Sequence, residues 1–98
     1  MFVVLLRFSV NRAMASEHMP GHRDWVHRGV EDGVFLLVGN IEPGQGGALI
    51  VAGSAIEELQ ARVASDPFVV HDVVAAEIIQ ITPNLTDSRL AFLKDVDI

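Results

Sequence analysis

The chain has 98 residues, no cysteine and a formal net charge of -6 at pH 7, and half of its residues are hydrophobic. The length suits one domain, and the lack of cysteine excludes disulfide bonds and thiolate zinc sites. The negative charge disfavours a nucleic-acid partner because phosphate groups carry the same sign. The apolar run at residues 2–6 is far shorter than the roughly 20 residues that span a bilayer, so we expect no membrane partner and a cytoplasmic protein.

The first part of the chain predicts a strand followed by a helix. Residues 2–8 carry β-branched and aromatic side chains at both alternating sets of positions, which is typical of a strand covered on both faces. Pro20 suits the opening of a helix because its φ is fixed, so we predict helix one over residues 22–32. Gly33 is expected to end this helix with a left-handed cap. The stripe predicted to be buried contains His22, Val26 and Val30, with Trp25 alongside.

The middle of the chain predicts a hairpin and a second helix. Strands are expected at residues 34–39 and 48–52, joined by a glycine-rich loop at residues 42–47. Helix two is predicted over residues 54–64, opened by an S-x-x-E capping box that begins at Ser54.

The last part of the chain predicts one more strand and a tail. Asp66 precedes a proline, so it is expected to stop helix two and to cap a short turn up to His71. The fourth strand is predicted over residues 75–82. Residues 84–98 then form a tail with one weakly helical patch at residues 89–93.

The order strand, helix, strand, strand, helix, strand predicts an α+β fold of the ferredoxin-like βαββαβ type. Such a fold has a four-stranded antiparallel sheet with both helices on one face. We expect a single domain over residues 1–98, with its core in residues 1–83. The strands are apolar on both sides, so the uncovered sheet face would expose more apolar surface than a monomer usually tolerates. Packing two sheets face to face removes this surface, which predicts a homodimer.

Tracing the strand directions brings three distant parts of the chain to one end of the fold. His22 lies at the start of helix one, Asp66 follows helix two, and the loop at residues 42–47 turns over at the same end. Arg7, near the end of the first strand, is a candidate to join them. A substrate site is therefore expected at this end.

Several stretches together resemble the YciI-like (YCII-related) family of the dimeric α/β barrel superfamily over residues 1–83. The stretches that carry the resemblance, in chain order, are residues 1–6, 22–29, 32–36, 46–50 and 66–68. The resemblance implies that His22 and Asp66 are the catalytic pair. It also implies acid/base chemistry on a small molecule, of lyase or isomerase type, because the family includes a dehydrochlorinase-type lyase. The alternative is a non-catalytic module that binds a small ligand or a partner protein in the same cleft.

Other candidate residues also have simpler structural explanations. Trp25 and Phe68 are candidates for contacting a planar substrate, although a tryptophan in a helix more often packs in the core or a dimer contact. His18 and His22 have the i, i+4 spacing of a metal-binding face, but no third ligand accompanies them, so we expect no metal and no cofactor. Asp66 is also explained as a helix cap and turn former.

Overall fold

A four-stranded antiparallel sheet forms the centre of the protein in a computed structural model, which describes residues 1–96. The strands follow the spatial order β2-β3-β1-β4, and their bounds are β1 Phe2–Phe8, β2 Phe35–Ile41, β3 Gly46–Val51 and β4 Val74–Gln80. The helices are α1 Ala15–Glu31, α2 Ile56–Ala64, α3 Pro67–Val70 and α4 Leu93–Val96, with short 3-10 helices at Arg12–Met14 and Ser88–Leu90. This arrangement confirms the predicted ferredoxin-like α+β fold.

The hydrophobic core lies between the helices and one face of the sheet. Alternation along β1 buries Phe2, Val4 and Leu6 on this face, while the residues between them are less covered. The side chains that meet them from the other elements include Trp25, Phe35, Leu49, Val51, Leu59, Val63, Phe68 and Val74. Every strand and the three helices α1 to α3 contribute to this core.

Helix α1 begins earlier than the sequence predicts. It contains Pro20 in its second turn, whereas the prediction opened the helix at that proline. Proline inside a helix removes one backbone hydrogen bond. The packing of Ala15 and Met19 against the core favours the additional turns and outweighs this loss. Pro20, although well suited to open a helix, thus lies in the interior of a longer helix.

The buried face of α1 also differs from the predicted stripe. Trp25 and Gly29 are buried, whereas Val30 is 50% exposed. Gly29 is buried because the helix approaches β2 so closely there that a Cβ would overlap the Phe35 ring. Gly33 has a φ of 73°, which confirms the predicted left-handed cap.

The predicted capping box of α2 is wrong. The helix begins at Ile56 and its N-cap is Ala55, with no capping side chain. The Ser54 hydroxyl instead donates to the carbonyl oxygen of Ala55 at 3.2 Å, so it is not available to the first turn of the helix. Asp66, by contrast, caps α3 as predicted, because its side chain accepts a hydrogen bond from the backbone N–H of Phe68.

The tail contains two short helical turns. Ser88–Leu90 and Leu93–Val96 overlap the predicted helical patch at residues 89–93, and Leu93 is buried. The last part of the predicted tail, residues 97–98, lies outside the described residues. Within residues 1–96, no helix is both long and apolar enough to cross a bilayer.

The second face of the sheet is mostly apolar and partly exposed. Residues that pair across strands share a face, and the pairs Val3 with Ile50 and Val3 with Ile79 place these three side chains together. Leu37 joins them through its pairing with Ile50 and is 55% exposed. An ion pair between Arg7 and Glu77, at 2.7 Å, lies on the same face.

Replacing Gly46 by alanine is expected to destabilise the hairpin between β2 and β3. Gly46 has a φ of 130°, and an added Cβ would overlap the carbonyl oxygen of Leu6 on β1. We expect the free energy of unfolding to fall by about 2–4 kcal/mol, from backbone strain and steric overlap together. Urea denaturation at fixed protein concentration measures this loss.

Gly39→Ala is the matched control for that substitution. A Cβ at Gly39 meets only a Leu37 methyl group at 3.8 Å, which is ordinary contact. We expect a change within about 1 kcal/mol. Equal losses for the two variants would contradict the structural role assigned to Gly46.

Candidate functional site

An ion-pair-type hydrogen bond joins His22 and Asp66, which are 44 positions apart in the chain. Nδ1 of His22 lies 2.8 Å from Oδ1 of Asp66. The Asp66 side chain is fully buried, whereas the His22 side chain is 17% exposed. The same Oδ1 atom accepts the Phe68 backbone N–H at 3.0 Å. The helix cap therefore also fixes the carboxylate that holds the imidazole.

Stacking fixes the plane of the His22 ring. The Phe68 ring lies parallel to it, with the centroids 4.0 Å apart and 4° between the planes. Trp25 lies further away, at 5.9 Å between centroids. The backbones of α1 and α3 approach closely because residue 21 is a glycine, where a Cβ would lie 3.1 Å from Cγ of Pro67. The ring is thus held both by a hydrogen bond at its edge and by an aromatic neighbour on its face.

A cavity of about 560 Å³ opens beside this pair. His22 and Phe68 line it together with Gly44, Gly46 and Gly47 of the hairpin. The three segments predicted to converge, namely the start of helix one, the segment around Asp66 and the glycine-rich loop, do meet here. Apolar side chains supply most of the remaining wall: Leu6, Phe8, Met19, Val26, Val38, Leu49 and Val74.

Among the candidate substrate contacts, only Phe68 lines this cavity. Arg7 follows Leu6 on β1, and consecutive strand residues point to opposite faces, so Arg7 lies on the second face with Glu77. The structure therefore does not bring Arg7 to His22 and Asp66. Trp25 is 2% exposed and packs in the core, where its indole N–H donates to the carbonyl oxygen of Arg62 at 2.9 Å.

Four polar side chains of the cavity wall were not predicted from the sequence: Arg23, His27, Asn40 and Glu42. The two on α1 follow His22 at spacings of one and five, which place them about 100° and about 140° around the helix from it, outside the stripe predicted to be buried. Asn40 enters the wall because of the register of β2 and β3, which the sequence pattern did not specify to the residue. Glu42 belongs to the loop at residues 42–47, which was expected at this end but without a role for that side chain.

His18 does not form a metal-binding face with His22. Its ring stacks on His71 with the centroids 3.8 Å apart and 7° between the planes. Among the described residues, no group of three histidine, aspartate or glutamate side chains is arranged to hold a metal ion. The structure offers a different arrangement at His22. One nitrogen of its imidazole is held by the Asp66 carboxylate, and its ring lines the cavity.

No protein-family model matches the chain. No curated protein matches it either. Its fold is similar to a solved structure of 5-chloro-2-hydroxyhydroquinone dehydrochlorinase (TftG) from Burkholderia phenoliruptrix AC1100, a complex with 2,5-dihydroxybenzoquinone. The TM-score is 0.67 at 14% identity, and the match covers 83% of this chain and 93% of that chain. At this identity the similarity establishes a shared fold.

Proposed function

We propose that this protein is a cytoplasmic, homodimeric small-molecule enzyme of the YciI-like family. In this proposal His22 and Asp66 move a proton in a lyase-type or isomerase-type reaction. The observation that carries it is the 2.8 Å bond between a fully buried carboxylate and an imidazole that lines a cavity. The similarity to TftG supports the reaction class, because that protein is named as a dehydrochlorinase and is bound to a small dihydroxyquinone.

The hydrogen bonds of Asp66 determine which nitrogen of His22 exchanges protons. Oδ1 accepts the Phe68 N–H, and an ionised Asp66 also accepts at its second contact, so Nδ1 of His22 is assigned as the donor to it. A neutral imidazole has one N–H, which leaves a lone pair on Nε2. This atom makes no hydrogen bond with any residue in the range 1–96. A carboxylate on Nδ1 orients the ring and fixes its tautomer.

The proposed reaction uses Nε2 as a base and then as an acid. Nε2 takes a proton from a carbon or oxygen atom of the bound substrate, and the positive charge that develops on the ring is stabilised by Asp66. The protonated Nε2 then returns the proton to a leaving group or to another substrate atom. The first outcome is an elimination and the second an isomerisation.

The cavity suits a small, planar, mainly apolar molecule. Its volume of about 560 Å³ lies within the range of roughly 300–1,000 Å³ that is typical of small-molecule sites. Phe8 and Phe68 provide aromatic surface in its wall, and His22 lies parallel to Phe68. Few polar groups interrupt this surface, so those present would set the orientation of the substrate.

The homodimer is supported by the second face of the sheet. Val3, Ile50, Ile79 and Leu37 form an apolar surface there, where Leu37 is 55% exposed and Ile79 is 39% exposed. A monomer rarely leaves a contiguous apolar surface of this kind in water. Packing the sheets of two subunits against each other buries this apolar surface on both subunits.

Asp66→Ala is expected to change the tautomer of His22. With the carboxylate gone, nothing holds the proton on Nδ1, so the Nε2–H form gains population. Nitrogen-15 NMR of the imidazole measures this population, and the wild-type neutral ring should be mainly the Nδ1–H form. Asp24→Ala, which removes an exposed carboxylate from the same helix, should leave the ring unchanged.

His22→Asn is expected to abolish proton transfer while the fold is retained. The asparagine side chain cannot take a proton near neutral pH, so we expect the rate to fall by about 100-fold or more. The assay follows exchange of carbon-bound hydrogen for deuterium in D₂O, by proton NMR, over a panel of hydroxylated quinones and hydroquinones. His71→Asn replaces an exposed histidine outside the cavity and serves as the matched control.

The same assay separates the enzyme from a ligand-binding module. Panel members that bind at the cavity but exchange no hydrogen would indicate the module. Equal exchange rates in His22→Asn and the wild type would contradict the role proposed for His22. Circular dichroism and the amide NMR spectrum report whether each variant is folded.

Ile79→Lys is expected to convert the dimer into monomers. The substitution places a charge on the apolar second face, where it would be buried against the partner sheet at high cost. Sedimentation equilibrium should give the mass of two chains for the wild type and of one for the variant. Val30→Lys, which changes an exposed apolar residue of α1, should remain a dimer.

A further inference from the structure

A second hollow shares two wall residues, Phe8 and Gly44, with the His22 cavity, and this side of the cavity is called its mouth. The second hollow has a volume of about 570 Å³, and its remaining residues are Arg7, Arg12, Pro43 and Gln45. Two arginines thus border a space that has part of its wall in common with the His22 cavity.

The Arg12 side chain is held across this mouth. Its guanidinium carbon lies 4.3 Å from the centroid of the Phe8 ring, and Nη2 donates to the carbonyl oxygen of Gly44 at 3.3 Å. The backbone below it is also anchored, because Asn11 donates from its amide N–H to Asp72 O at 3.0 Å and from Nδ2 to His71 O at 2.9 Å. The cation thus has a defined position between β1 and the hairpin.

Arg12 makes no ion pair with an acidic side chain within residues 1–96. Arg7, Arg62 and Arg89 each pair with an aspartate or glutamate. A guanidinium carries five N–H donors, and the bond to Gly44 uses one of them. The remaining donors of Arg12 are available to a ligand.

The charges around the two spaces favour an anion. Arg23 lines the His22 cavity and makes no ion pair within the described residues, and Glu42 is the carboxylate of the same wall. With Arg7 neutralised by Glu77, the positive groups exceed the negative ones here, although the chain as a whole carries a net charge of -6. One unpaired carboxylate in the wall also disfavours a strongly charged group such as a phosphate dianion.

We infer that the substrate is an aromatic carboxylate. Its ring lies in the His22 cavity against Phe68, and its carboxylate lies at the mouth, where the guanidinium fork of Arg12 matches the two oxygens. The inference rests on the proposed function, because it places the anionic group on the same molecule whose proton His22 moves. Arg12 is then the residue that selects acids over neutral analogues.

The test compares aromatic acids with their own amides. Benzoate with benzamide, and 2,5-dihydroxybenzoate with 2,5-dihydroxybenzamide, are titrated into the full chain and followed by amide NMR. We expect each acid to bind about tenfold more tightly than its amide, with shifts at Gly44, Gly46 and His22. In Arg12→Gln this preference should disappear, because the acid loses affinity while the amide keeps it.

Arg28→Gln is the matched control, since it removes an equal charge from α1 outside both spaces. It should keep the full preference for acids. The inference is overturned if no acid binds, if acids and amides bind equally to the wild type, or if Arg12→Gln keeps the preference. An equal loss of the acid preference in Arg12→Gln and Arg28→Gln also overturns the inference, because the preference would then arise from the overall charge of the protein.

The outcome is separable from that of the proposed function. A protein that selects acids through Arg12 but exchanges no hydrogen keeps this inference and loses the catalytic role of His22. A protein that exchanges hydrogen on neutral panel members but shows no preference for acids keeps the catalytic role of His22 and loses this inference.

Discussion

The arrangement of the site depends on one carboxylate oxygen with two donors. Oδ1 of Asp66 accepts the Phe68 amide, which begins α3, and also holds His22 of α1. The first bond orders the turn and the second joins that turn to a different helix. Both occur at a side chain that is fully buried, where an unpaired charge would be costly. The two hydrogen bonds of this one oxygen thus join local folding, helix packing and the orientation of the imidazole.

Much of the fold could be predicted because it follows from alternation and turn chemistry. The apolar run of β1, the left-handed Gly33 and the Asp66 cap are local features, and each is present. The two errors differ in origin. Pro20 lies inside α1 because Ala15 and Met19 before it pack against the core, and such contacts with distant residues are not visible in the local sequence pattern. Ser54 bonds to its neighbour Ala55 instead of capping α2.

The site was predictable at the level of its chain segments and less so at the level of its side chains. The strand directions were sufficient to bring His22 to Asp66, and the resemblance gave those two residues a chemical role. Arg7 was expected beside His22 but lies on the second face with Glu77, because consecutive strand residues alternate between faces. Arg12 was not predicted as a site residue, since its position above Phe8 depends on the turn and 3-10 helix that follow β1.

The continuity of α1 links two properties of the site mechanically. His22, Arg23 and His27 belong to one uninterrupted 17-residue helix that is held against α3 at Gly21. A tilt of this helix therefore moves the His22 imidazole and one wall of the cavity together. Widening the cavity in this way would draw Nδ1 of His22 away from Asp66, so the width of the cavity and the His22–Asp66 hydrogen bond are coupled in this architecture.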